Sequence, residues 1–150
     1  MNPYQNYFAT QIQTASPEQV LIMLYDGAIR FLRQARQAAE NNDRAGKLKK
    51  VSRAVAIITE LSNSLDFEKG GEIAENLDGL YSYMVRELTR GNTAGDTSPI
   101  DISENILVEL REAWTGAIEK NKSGAGEESA ENGAYGNGGQ APRKAMNAAI

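Results

Sequence analysis

Apolar residues recur at three- and four-residue spacing in four successive segments, separated only by short clusters rich in Asn, Asp, Gly and Ser. That is the period of an α-helix with one buried face, and no alternating strand pattern competes with it. The first segment opens at Ser16, with Pro17 in the first helical position and Gln19 three residues after the serine, the pattern of a capping box. At about 100° per residue, Val20, Leu24, Ala28, Phe31, Leu32 and Ala35 share one face. The helix closes at Asn41-Asn42, where Asp43 can cap the next. Leu48, Val51, Val55, Ile58, Leu61 and Leu65 mark a second helix that ends around Asn63–Phe67. A third, starting after Gly70-Gly71, carries Ile73, Leu77, Leu80, Tyr81, Met84 and Leu88, with Gly91 in the place of a helix-ending glycine. A turn through Asn92–Pro99 leads to a fourth with Ile106, Leu107, Leu110, Trp114, Ala117 and Ile118.

Four amphipathic helices on short connections predict an all-α fold, an antiparallel four-helix bundle. Ahead of it, residues 1–15 form an aromatic N-terminal segment with room for a short extra helix, and residues 16–120 form the bundle. Residues 121–150 hold six glycines, all between Gly124 and Gly139, and bury too little apolar surface to offset their ordering entropy, so a disordered tail is expected.

Composition narrows the chemistry. The 150 residues include no His and no Cys. That excludes nucleophile–imidazole pairs, a histidine acid/base step, thiolate metal sites and disulfides. Asp26, Glu72, Glu75 and Asp78 lie near helix starts, where carboxylates meet the helix dipole favourably. Gly70-Gly71 lacks the strand, spacing and lysine of a phosphate loop. No catalytic residue, cofactor or metal ligand is therefore assigned, and the expected activity is binding. A net charge of -4 argues against general nucleic-acid binding. No apolar run reaches the ~20 residues of a membrane helix, and MNPYQNYF does not read as a signal peptide. These features and the lack of cysteine fit the cytosol.

Charge is unevenly spread. Arg30, Arg33, Arg36, Arg44, Lys47, Lys49, Lys50 and Arg53 face only Glu40 and Asp43 in the same stretch, while acids dominate from Glu60 to Glu119. Solvated helix faces are the favoured reading; the alternative is steering of a partner.

The first helix has a second apolar stripe, Ile22, Tyr25 and Ile29, beside its main face, and the second helix is broadened by Ala54, Ile57 and Leu61. One stripe suffices for a surface helix. Either the first helix is central and buried on two sides, or Ile22, Tyr25, Ile29, Ile57 and Leu61 line a groove for a partner helix. The leader offers Tyr4, Tyr7 and Ile12 as a cover for that stripe or as a docking element.

The run from Thr14 to Ala28, TASPEQVLIMLYDGA, closely resembles the opening of the FliS family of flagellar secretion chaperones. The leader Asn2-Pro3-Tyr4…Tyr7 is similar to that family's, as are Glu68–Ala74 with Asn76-Leu77, Leu80–Met84, and Glu112-Ala113-Trp114 with Ala117-Ile118. Together these blocks span Asn2 to Lys120. The resemblance implies a cytosolic helical bundle that holds the disordered C-terminal segment of flagellin, prevents premature polymerisation and delivers it to the flagellar type III export apparatus. It implies no ATP. Tyr7, the best match to the family's leader tyrosine, would dock on the cytosolic domain of the export-gate membrane protein; some members also bind an anti-sigma factor. The competing reading is a structural or regulatory bundle that self-associates or sequesters a helical partner such as an anti-sigma factor.

Overall fold

A computed structural model describes residues 15–94 and 96–123, which fold into α1 (Pro17–Glu40), α2 (Arg44–Asn63), α3 (Phe67–Ala94) and α4 (Ser98–Ser123). The expectations for the leader, including Tyr4, Tyr7 and Ile12, and for the tail from residue 124 lie outside the described residues.

Local chemistry sets the helix ends. Gln19 N–H donates to Ser16 Oγ (3.2 Å) and Ser16 N–H donates to Gln19 Oε1 (2.9 Å), closing the capping box. At the other end of α1, Asn42 takes φ 58°, a left-handed conformation that Asn tolerates. With it, Asn42 N–H reaches Ala39 O (3.1 Å) and Asp43 N–H reaches Ala38 O (2.8 Å), the bond pair of a Schellman motif. Asp43 then caps α2 by accepting from Gly46 N–H at 2.9 Å. One three-residue connection thus ends one helix and starts the next.

Long-range contacts run in opposing numerical order, which makes neighbouring helices antiparallel. Between α1 and α4, Asp26 meets Arg111, Arg33 meets Glu104 and Arg36 meets Asp101. Between α2 and α3, Ser62 Oγ donates to Asp78 Oδ1 (2.8 Å), and Lys47 Nζ reaches the Asp96 carbonyl beyond α3 (3.4 Å). α1 packs on α2 and α4, and α3 packs on both of those from the far side. The core includes Leu21, Leu32, Ile58, Leu61, Leu88 and Leu107, each almost fully buried. A buried side chain of this kind contributes roughly 1.5–3 kcal/mol, whereas an exposed ion pair contributes at most about 1 kcal/mol. The core therefore holds the bundle, and the ion pairs fix register.

The structure departs from the helical spacing at several points. Leu48 (53% exposed) and Leu80 (37%) fall on core faces by spacing but point outward, because spacing alone does not mark the edge of an apolar stripe. α3 starts at Phe67, before Gly70-Gly71, with its first turn capped by Asp66 through Lys69 N–H (3.1 Å). Gly71 breaks the helical dihedrals there (φ 51°, ψ -127°). Gly91 does not end α3, which continues to Ala94; a Cβ at Gly91 would lie 2.4 Å from Pro99 Cγ, so the glycine instead admits the start of α4. α3 reaches Ala94 and α4 starts at Ser98, inside the span expected to be a turn, and α4 runs to Ser123, past the expected boundary at 120.

Candidate functional site

The five residues expected to line a groove do not share one surface. Tyr25, Ile29 and Leu61 are buried in the core, while Ile22 and Ile57 are half-buried and packed against it. On α1 the Ile22/Ile29 side is also the side of Asp26 and Arg33, four residues further on in each case, and both of these pair with α4. α4 is therefore what covers the second stripe, as expected for a central helix buried on two sides.

Tyr25 sits at the crossing of three helices. Trp114 Nε1–H on α4 donates to its hydroxyl oxygen at 3.0 Å, and the same hydroxyl hydrogen-bonds that of Tyr81 on α3. Burial pushes the Tyr25 pKa up by more than these hydrogen bonds draw it down, and burial beside Tyr25 pushes that of Tyr81 up as well. Phenols held neutral in this way brace the core and supply no base.

Ile57 lies on a different seam, between α1 and α2. Its Cδ1 stands 3.2 Å from the position a Cβ on Gly27 would take, so α2 approaches α1 through the missing side chain. Along this seam α1 carries Leu24 and Phe31, both half-buried. Next to Ile57, at Phe31, three cations converge on one ring: Lys50 Nζ at 5.5 Å, Arg30 Cζ at 5.7 Å and Arg53 Cζ at 5.8 Å from its centroid. No ion pair joins these three to a carboxylate among the described residues.

This cluster is not evident from spacing or composition, which place Phe31 on a core face, where it does pack half-buried, and the basic run on solvated faces. The run in fact divides: Arg33 and Arg36 are engaged by Glu104 and Asp101 of α4, and Arg30, Lys50 and Arg53 gather at the seam. An available signal was the adjacency of Arg30 to an aromatic in the first helix, opposite a basic pair on the second. Among the described residues no three His, Cys, Asp or Glu side chains are placed to hold a metal ion, and no helix is long and apolar enough to cross a membrane.

A half-buried apolar seam bordered by cations that have no carboxylate partner among the described residues can bind a polypeptide; the side chains described there include no group arranged for bond chemistry. Comparison with known proteins points the same way. Residues 1–121 match the family described as "Flagellar protein FliS". The chain is 43% identical over 104 residues to the flagellar secretion chaperone FliS of Salmonella typhimurium, covering 69% of this chain and 77% of that protein. It is 38% identical over 117 residues to the flagellar secretion chaperone FliSB of Pseudomonas aeruginosa (77% and 93% covered). With the flagellar secretion chaperone FliS of Bacillus subtilis it shares 34% identity over 128 residues (83% and 95% covered).

Proposed function

This chain belongs to the FliS family of flagellar secretion chaperones, and from that premise we propose that it is a cytosolic export chaperone for flagellin. In this reading it holds the C-terminal segment of newly made flagellin, which is disordered when free, and keeps it from polymerising. It then passes the loaded complex to the flagellar type III export apparatus. Half-buried Ile57 on the α1–α2 seam contacts the client, and what α4 leaves exposed of Ile22 offers a separate contact, while Tyr25, Ile29 and Leu61 brace the helices from within. Tyr4, Tyr7 and Ile12 cover apolar surface in the empty chaperone and dock on the cytosolic domain of the export-gate membrane protein. The observation that carries the reading is family membership over residues 1–121, supported by a seam that offers apolar contact and no catalytic group. Coupled folding of the client gives up part of the binding energy to ordering, which suits a complex that must later release it.

Calorimetric titration of the full chain with a C-terminal flagellin peptide tests this. Saturable binding with a large negative heat-capacity change is expected, because apolar surface is buried as the peptide orders. Ile57→Asp should abolish it while circular dichroism stays helical. No binding by the wild-type chain would sink the proposal.

A further inference from the structure

We propose that the Arg30, Lys50 and Arg53 cluster around Phe31 is a second contact for the client, one that recognises a carboxylate. The inference rests on the proposed function and adds the chemistry of the segment bound.

Three positive charges lie within 5.8 Å of one ring centroid, so no two are more than about 12 Å apart, on the order of one Debye length. They repel one another, and the ring's electron-rich face offsets that only in part. Arg33 and Arg36, close by in sequence, have carboxylate partners on α4; these three have none among the described residues. The three cations thus fall on one stretch of the α1–α2 seam, beside Ile57, which packs against Gly27.

The occupant that fits is an acidic, amphipathic polypeptide segment. Its apolar residue rests at Ile57, and its Asp or Glu, about one to two helical turns further along, reaches Arg53 and Lys50. Phe31, half-buried between the cations, supplies apolar contact beneath the carboxylate. A nucleic acid fits less well, since three cations around one ring on a chain of net charge -4 make a small basic patch.

The test is titration of the full chain with the flagellin C-terminal segment at increasing NaCl. Arg30→Gln/Lys50→Gln/Arg53→Gln should bind about tenfold more weakly at low salt and lose most of the salt dependence, whereas Arg44→Gln/Lys49→Gln should behave as wild type. Replacing the segment's Asp and Glu by Asn and Gln reads the same contact on an unaltered chaperone and should weaken binding equally. If the triple variant and the neutralised segment both bind with wild-type affinity and salt slope, the acidic contact is overturned. Loss of binding in Ile57→Asp would then leave the chaperone reading standing. Equal weakening in the Arg44/Lys49 control would also overturn it, since general charge attraction would suffice. A wild-type chain that binds no flagellin at any salt removes both readings.

Discussion

Trp114 on α4 donates its indole N–H to the hydroxyl of Tyr25 on α1 across 3.0 Å of buried core, and that hydroxyl also meets Tyr81 on α3. A single oxygen therefore joins three helices. Tyr25→Phe strands the indole N–H and the Tyr81 hydroxyl at once, and each buried group left unsatisfied costs roughly 1–3 kcal/mol. Denaturant unfolding should show a loss of about 3 kcal/mol for Tyr25→Phe, against about 1 kcal/mol for Tyr81→Phe, which leaves the Trp114 bond in place. Equal losses in the two variants would mean that the Tyr25 oxygen is not the junction.

The same burial makes alkaline pH a probe. Tyr25 and Tyr81 have pKa values raised above the ordinary 10.0, with burial the largest cause in both. A raised phenol pKa contributes stability that is fully present below the unfolded value and fades as pH climbs past it, because only the unfolded chain releases the proton. Ultraviolet absorbance titration should show these two tyrosines ionising only as the helical signal collapses. Reversible ionisation of all six tyrosines near pH 10 with the helix content intact would contradict it.

What the sequence made legible was local. The Ser16 capping box, the Asn41-Asn42-Asp43 junction and the helical period rest on neighbours within a turn or two, and the structure matches them. Contacts between helices were less visible. The Ile22/Tyr25/Ile29 stripe could be seen as a second apolar side, but its cover, α4, follows from helix order around the bundle. Phe31 has the right spacing for a core residue and does pack half-buried against the core, but cations ring it only because α2 brings Lys50 and Arg53 to join Arg30.

Gly91 illustrates the same limit and gives a paired prediction. Its missing side chain admits Pro99, whose Cγ would stand 2.4 Å from an added Cβ; a Cβ at Gly79 meets nothing within 4 Å. Gly91→Ala should lower stability by about 2 kcal/mol through forced separation of α3 from the start of α4. Gly79→Ala, at an exposed position inside the same helix, should raise it by about 0.5–1 kcal/mol. Thermal unfolding of the two variants should shift in opposite directions, and a shift of the same sign would refute the steric account.

Gly71 provides a backbone test free of packing. At φ 51° and ψ -127° it adopts a conformation that a side chain disfavours, although a Cβ there would meet nothing within 4 Å. Gly71→Ala should therefore cost about 1–3 kcal/mol from dihedral strain alone. Chemical denaturation reads the loss directly, and a neutral substitution would show that the break in α3 is not required.

Acid should weaken the α1–α4 seam at one identifiable carboxylate. Burial by itself would raise the Glu104 pKa, but hydrogen bonds from Arg33 and Arg36, together with their charges, outweigh it and leave the value below the ordinary 4.5. A depressed carboxyl pKa stabilises the fold above the unfolded-state value, and that contribution is lost as pH falls through the folded-state value. Arg33 is 61% exposed, so solvent screens much of the attraction, and Glu104→Gln should cost only about 1 kcal/mol at neutral pH. The gap between variant and wild type should close as pH falls from the ordinary glutamate value of 4.5 through the lower folded-state value. Asp26→Asn, at a pair exposed on both sides, should cost less than half as much. Urea unfolding across that pH range checks both, and a Glu104→Gln deficit that persists unchanged in acid would show that the loss comes from packing rather than charge.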